Sequence, residues 1–163
     1  MRVLGIDPGS RNTGLGVVET TADGLRSIAY QHIRMGNNPL PQRLAIIYQS
    51  VQSIITEFNP DMVAVEQIFI SINAKSALVL GHARGSAICS AVNAQRPVYE
   101  YSALQIKRAV VGSGNAKKQQ VQHMVRVLLG LTATPSEDEA DALACAICHI
   151  HTAQGQQMLA AAL

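Results

Sequence analysis

The chain has 163 residues, 48% of them hydrophobic and 15% charged, with a mean hydropathy of +0.14; that predicts one compact domain and excludes a disordered chain. The net charge of +2 says little by itself, but its distribution is polarised. Between Glu66 and Glu137 eight bases stand against the single acid Glu100, a formal +7, and the remainder is net acidic, a field that suits a polyanion held beside an acidic, metal-loaded spot. No apolar run approaches the roughly 18 residues of a membrane span, and MRVLGID is too short for a signal peptide before Asp7 interrupts it, so a cytoplasmic location is expected. Three cysteines, an odd number, predict reduced thiols.

RVLGID at 2–7 and GLGVVETT at 14–21 predict two strands joined through PGSRNTG, and a turn at Asp23-Gly24 leads into LRSIAYQHIRM. The N-terminal third is therefore expected to be a three-stranded antiparallel meander. After GNNPLP, apolar residues at Leu44, Ile47, Val51, Ile54, Ile55 and Phe58 keep the spacing of an amphipathic helix from about Pro41 to Phe58, ended by Asn59-Pro60. MVAVEQIF is a compact run, short enough for a central parallel strand. A helix from about Asn73 to Asn93, a strand at PVYEY, two shorter helices near 102–110 and 116–129, and a last helix from near Ser136 to about His151 complete the pattern. The final dozen residues are expected to fray, leaving 1–152 as the domain and 153–163 as a tail. The fold class is α/β: a mixed five-stranded sheet, three antiparallel strands extended by parallel ones, with helices on both faces.

Glu19, Asp23, Glu57, Asp61 and Glu100 fall at turns, element ends or alternating positions and are expected to face solvent. Asp7 and Glu66 differ, because each is embedded in an apolar strand. Burying a carboxylate costs several kcal/mol unless a partner or a metal compensates. For Asp7 a second reading is open, since an Asp before Pro-Gly commonly accepts a following backbone N–H. In PSEDEADALACAICHIH, Ser136 and Glu139 fit a capping box, and Glu137 and Asp138 lie in the first turn, where the helix dipole favours negative charge by about 0.3–1 kcal/mol. Capping leaves Asp141 unexplained. It lies beyond the first turn, before an apolar run, and three positions from Asp138, so the two share a helix face and repel unless a cation sits between them. Asp7, Glu66, Asp138 and Asp141 together are a suitable inventory for two hard divalent cations such as Mg²⁺, which takes few protein carboxylates and fills its shell with water and phosphate. Two such ions about 3.5–4 Å apart suit phosphodiester cleavage.

Five segments in order, GIDPGSRNTG at 5–14, AVEQIF at 64–69, GHARG at 81–85, KKQQVQHMV at 117–125 and DEADALA at 138–144, resemble the RuvC family of bacterial Holliday-junction resolvases over about residues 2–152. The resemblance implies a ribonuclease-H-like fold and a homodimer. It also implies paired symmetric cuts in four-way DNA junctions, made with Mg²⁺ (or Mn²⁺ in its place) and leaving 5′-phosphate and 3′-hydroxyl ends, in recombination and repair. It places an acidic tetrad, both metal-binding and catalytic, on Asp7, Glu66, Asp138 and Asp141. Lys107 and Lys118 match positions that bind phosphate, and Phe69 matches a base-stacking wedge, with core packing as its alternative. A branch-migration partner, RuvA–RuvB, is implied as well. Two departures stand out: after Phe69 the family often places a base, whereas here Ile70-Ser71-Ile72 intervene before Lys75; and Glu139 stands where a small residue is more typical.

The residues support a phosphate site independently. Gly112-Ser113-Gly114 leads into a helix N-terminus with Lys117 and Lys118, where N–H groups and the dipole attract phosphate, although a solvated helix face is the plainer alternative for Lys107 and Lys118. The spacing is not that of a P-loop. Cys145-x-x-Cys148-His149 lies on one helix stripe and reads as small core residues rather than a zinc or haem site, and His123 reads as a surface residue. On the second helix Gly81, Ala83, Gly85 and Ala87 offer close packing at a symmetric interface. DPGSRNTG also resembles the phosphate loop of actin-like ATPases and sugar kinases, but those hold nucleotide between two such domains and 163 residues supply one. A ribonuclease acting on RNA–DNA hybrid would use the same metal logic. A silent junction-binding protein would leave four carboxylates without purpose.

Overall fold

The computed structural model describes residues 1–68 and 73–162; Phe69 and the Ile70-Ser71-Ile72 segment lie outside the described residues. In β1 (Arg2–Asp7) side chains alternate across the sheet, so Leu4 and Ile6 enter one apolar layer and Val3 the other. This strand pairs antiparallel with β2 (Asn12–Thr21), Gly5 opposite Gly16 and Asp7 opposite Gly14, and β2 pairs antiparallel with β3 (Gly24–Arg34). The expected meander forms.

Helix α1 (Leu40–Phe58) buries Ile47, Val51, Ile54 and Ile55 and stops at Asn59, whose φ of 46° is left-handed. It returns the chain to β4 (Met62–Glu66), parallel to β1. Helix α2 (Ala74–Asn93) follows, its N-cap Asn73 accepting the Ser76 N–H at 3.2 Å, and β5 (Val98–Tyr101) then runs parallel to β4. The strand order is β3-β2-β1-β4-β5. Helices α3 (Ala103–Val111), α4 (Lys118–Leu128) and α5 (Glu137–Ala161) complete the chain. Among the described residues no helix is long and apolar enough to cross a membrane.

Helices α1 and α2 cover one face of the sheet, over Leu4, Ile6, Leu15, Val17, Val63 and Val65. The other face, with Val3, Val18 and Ala64, is covered by α5, flanked by α3 and α4. Two expectations need correction. Ala83 and Ala87 are not free for a symmetric interface: they are buried in the layer beneath α1, because the inward stripe of α2 needs small residues to pack closely. The last helix does not stop near His151 but continues to Ala161, since Gln, Ala and Leu favour helix even where the turns are solvent-exposed.

Helix α5 lies unusually close to the sheet. A Cβ built on Gly5 would stand 1.9 Å from the Ala142 carbonyl oxygen, and one on Gly14 1.9 Å from that of Asp138. Only glycine permits this approach, so Gly14 sets the height of the first turn of α5 above β2. Gly14→Ala should lift that turn by about 1 Å. A misplacement of that size costs an active site on the order of 100-fold, and overpacking costs about 1–3 kcal/mol. Cleavage rates and urea denaturation of the variant check both effects.

Candidate metal and DNA-binding site

Strands β1 and β4 are parallel neighbours in register Ile6↔Val65, so their C-terminal residues, Asp7 and Glu66, arrive side by side at one edge of the sheet. Parity decides the face. Gly5 meets α5 and Ala64 lies in the layer under it, and Asp7 and Glu66, two residues further along, share that side. Opposite Asp7 stands Gly14, whose missing side chain admits the start of α5 and with it Asp138 and Asp141. A cavity of about 260 Å³ is lined by Asp7, Glu66 and Asp141 together with Lys107 of α3 and Lys118 of α4. Asp138 does not line it, but its charge acts on both Asp7 and Asp141.

The turn-capping alternative for Asp7 has another owner. Gly9 N–H donates to Thr13 Oγ1 at 3.3 Å and the Thr13 hydroxyl donates to the Gly9 carbonyl at 3.1 Å, so Thr13 ties the turn. Among the described residues none of the four carboxylate side chains makes a hydrogen bond or an ion pair. Burial, then the charges of Glu66, Asp141 and Asp138, push the Asp7 carboxyl up to about 8, with Lys118 opposing. Burial and Asp141 push Glu66 up to about 7, and burial first of all raises Asp141. Lys118 is held above the usual lysine range, chiefly by Asp141.

These shifts have a definite sign. Between the ordinary carboxyl values near 4 and the raised values of 7 to 8, the folded protein holds protons that the unfolded chain has released. Stability of the metal-free protein is therefore expected to fall as pH rises from about 4 to 8. Calorimetric Tm values in EDTA across that range check this. A divalent cation, which displaces those protons, should raise Tm more at pH 8 than at pH 6.

Unpartnered, mutually repelling carboxylates with oxygen-only donors fit a hard cation. Among the described residues no three acidic, Cys or His groups close into a cage around one point.

The basic groups divide between two places. Lys107 and Lys118 face the acids, Lys118 also standing 3.5 Å from Glu137. Lys117 precedes α4, and its N–H donates to Gln120 Oε1 at 2.7 Å. Lys75 lies instead on the first turn of α2, lining a separate cavity. Glu139 reaches back to the Ser136 N–H at 2.8 Å, as the capping box requires, with its other oxygen 3.9 Å from His32. Cys145 and Cys148 are buried and His149 shares a 2.7 Å hydrogen bond with the Tyr101 hydroxyl, so this trio belongs to the core.

Two contributors escaped the sequence reading. One is the pair Gly5 and Gly14, whose signal was glycine inside otherwise apolar strands. The other is Arg84 of α2, whose Nε donates to the Glu66 carbonyl at 3.3 Å while its guanidinium pairs with Glu100. Its signals were a lone base amid small residues and its place in the segment GHARG.

A mixed sheet of this order, with acids from β1, β4 and the final helix gathered at one edge, defines an α/β nuclease of the ribonuclease-H-like class, metal-dependent in its chemistry. The family model described as crossover junction endodeoxyribonuclease RuvC matches residues 3–149, and the chain belongs to that family. Curated RuvC proteins include one from Aeromonas salmonicida, 57% identical over 93% of this chain and 88% of that protein. Another, from Aromatoleum aromaticum, is 52% identical over 94% and 83%. Among solved structures, Thermus thermophilus RuvC superposes with a TM-score of 0.87 at 35% identity, covering 96% of this chain and 97% of that one. The same protein in complex with a Holliday junction substrate gives 0.86 at 34% identity, covering 95% and 96%.

Proposed function

We propose that the protein is a homodimeric endodeoxyribonuclease that resolves four-way DNA junctions by paired symmetric cuts, with Asp7, Glu66, Asp138 and Asp141 holding two Mg²⁺ ions in each site. The observation that carries this reading is the convergence of three unpartnered carboxylates, Asp7, Glu66 and Asp141, beside Lys107 and Lys118, with the charge of Asp138 acting on two of them, in a chain of the RuvC family. Bound there, the ions (for which Mn²⁺ is a substitute) would supply the charge that activates a water and steadies the leaving oxygen. Asp7 and Glu66, at the ends of rigid neighbouring strands, fix the inner side of the site, and Asp138 and Asp141 its outer side. Lys107 and Lys118 hold the scissile phosphate against the acids. Water oxygen bonds to phosphorus as the bond to the 3′ oxygen breaks, leaving a 3′-hydroxyl and a 5′-phosphate.

Paired cuts require paired sites. The outward face of α2 supports a symmetric contact: Leu78 and Val92 are exposed, 62% and 59%, and Gly81 and Gly85 have open space before them. The nuclease domain on this reading is residues 1–152, with 153–163 as a tail outside it, and the working compartment is the cytoplasm, where RuvA–RuvB would deliver the junction. Incubation of the purified protein with a labelled four-way junction, in Mg²⁺ or EDTA, tests the reading, with an RNA–DNA hybrid and ATP as competing substrates. Symmetric Mg²⁺-dependent nicks in the junction are expected. An untouched junction beside a degraded hybrid would sink the proposal, as would sedimentation as a monomer with unpaired nicks.

A further inference from the structure

The turn that follows Asp7 has a second side. Beyond it lies a cavity of about 310 Å³ whose lining includes Arg11 of that turn, Arg43 of α1 and Lys75 of α2, with Ser10, Asn38 and Ser76 between them, and no acid. Three cations of one sign in one concavity repel each other, and the fold offers nothing in the lining to balance them. Arg43 is fixed in place: it donates through Nη1 to the Ser10 carbonyl, while its Nε is buried and has no hydrogen-bond partner among the described residues. Arg11 and Lys75 are exposed, with no ion pair among the described residues.

We infer that this cavity is a second phosphate site, which takes the backbone of the DNA strand on the far side of the turn from the point of cleavage. The inference rests on the junction-cutting reading for its DNA. The chain itself supplies the geometry. Ser10 is three residues from Asp7, so the two lie at most about 11 Å apart. At 3.4 Å of rise per base along one strand, that is about three base steps. A strand whose scissile phosphate sits at Asp7 therefore presents further phosphates within reach of Arg11, Arg43 and Lys75. Arginine suits the role, because its planar fork can grip phosphate through two N–H groups at once. The site also gives Lys75 a function apart from the Lys107–Lys118 side: two basic edges flank the turn and hold the strand across it.

Junction binding measured by anisotropy in EDTA, where nothing is cut, tests this from 50 to 200 mM salt. The double variant Arg11→Ala/Lys75→Ala should reduce the slope of log affinity against log salt by about 1.8, so that over this range it loses about twelvefold less affinity than the unaltered protein. The charge-conserving pair Arg11→Lys/Lys75→Arg should restore the original slope, which separates charge from damage to the turn. An unchanged slope in the alanine pair overturns the inference. So does a reduced slope that persists in the charge-conserving pair. Inorganic phosphate at constant ionic strength addresses a free-anion source: a Tm rise that the alanine pair abolishes, with no change in DNA slope, would also overturn it. Cutting by the unaltered protein in Mg²⁺ is scored separately. A protein that cuts junctions but keeps its slope refutes this site alone, whereas one that cuts nothing yet shows the slope change refutes the nuclease reading alone.

Discussion

Asp141→Asn is expected to abolish junction cleavage at saturating Mg²⁺, by about 100-fold or more, while Glu139→Gln, only two positions away, leaves cleavage in place. Each substitution removes one charge from the same helix, so bulk electrostatics cannot separate them. Helix geometry does. Glu139 is turned back onto Ser136, where its carboxylate accepts the N–H at 2.8 Å and the hydroxyl at 2.7 Å, and Gln can accept both in its stead. The stability change should stay within about 0.5 kcal/mol. Asp141 faces the cavity shared with Asp7 and Glu66 and carries no capping bond. Its loss removes a ligand oxygen where several kcal/mol of transition-state stabilisation are at stake, and each 1.36 kcal/mol is tenfold in rate. Junction binding in EDTA should be retained by Asp141→Asn. Equal loss of cleavage in the two variants would mean that net charge, not position, governs the site.

Asp7→Asn should cut nothing, bind the junction at least as tightly as the unaltered protein, and be more stable without metal. All three effects come from one cause. Asp7 is the most strongly desolvated of the acids and is repelled by the other three, which is why its carboxyl stands at about 8. The amide removes a negative charge from beside the DNA backbone, and it removes the cost of ionising a buried acid above neutral pH. In EDTA at pH 8 the Tm should rise by about 5 °C, and the fall of stability with rising pH should flatten. At pH 4 to 5, where Asp7 is protonated in the folded protein, the variant and the parent should melt together. A variant that melts lower at pH 8 would show that Asp7 has a structural partner after all.

The sequence determined a good deal about this protein by itself. Short apolar runs marked β1 and β4, and three-and-four spacing marked α1, because an element that buries a continuous apolar stripe is visible in one dimension. Asp7, Glu66 and Asp141 were legible as acids in apolar surroundings, and Glu139 as a cap, because both judgements depend on neighbours within a few positions. The resemblance to RuvC groups Asp7, Glu66 and Asp141 with Asp138 in one site. Only the tertiary structure decided the rest. That β1 and β4 lie side by side, that Gly14 lets Asp138 and Asp141 descend onto Asp7, and that Arg84 braces Glu66 are contacts between residues 18 to more than 120 positions apart. No local pattern encodes such a distance. The same holds for Ala83 and Ala87, whose small size suited an outer interface and an inner one equally until α1 was seen to cover them. It holds again for Lys75, a base on a helix whose neighbours Arg11 and Arg43 come from a turn and a different helix, joined only when the sheet closes.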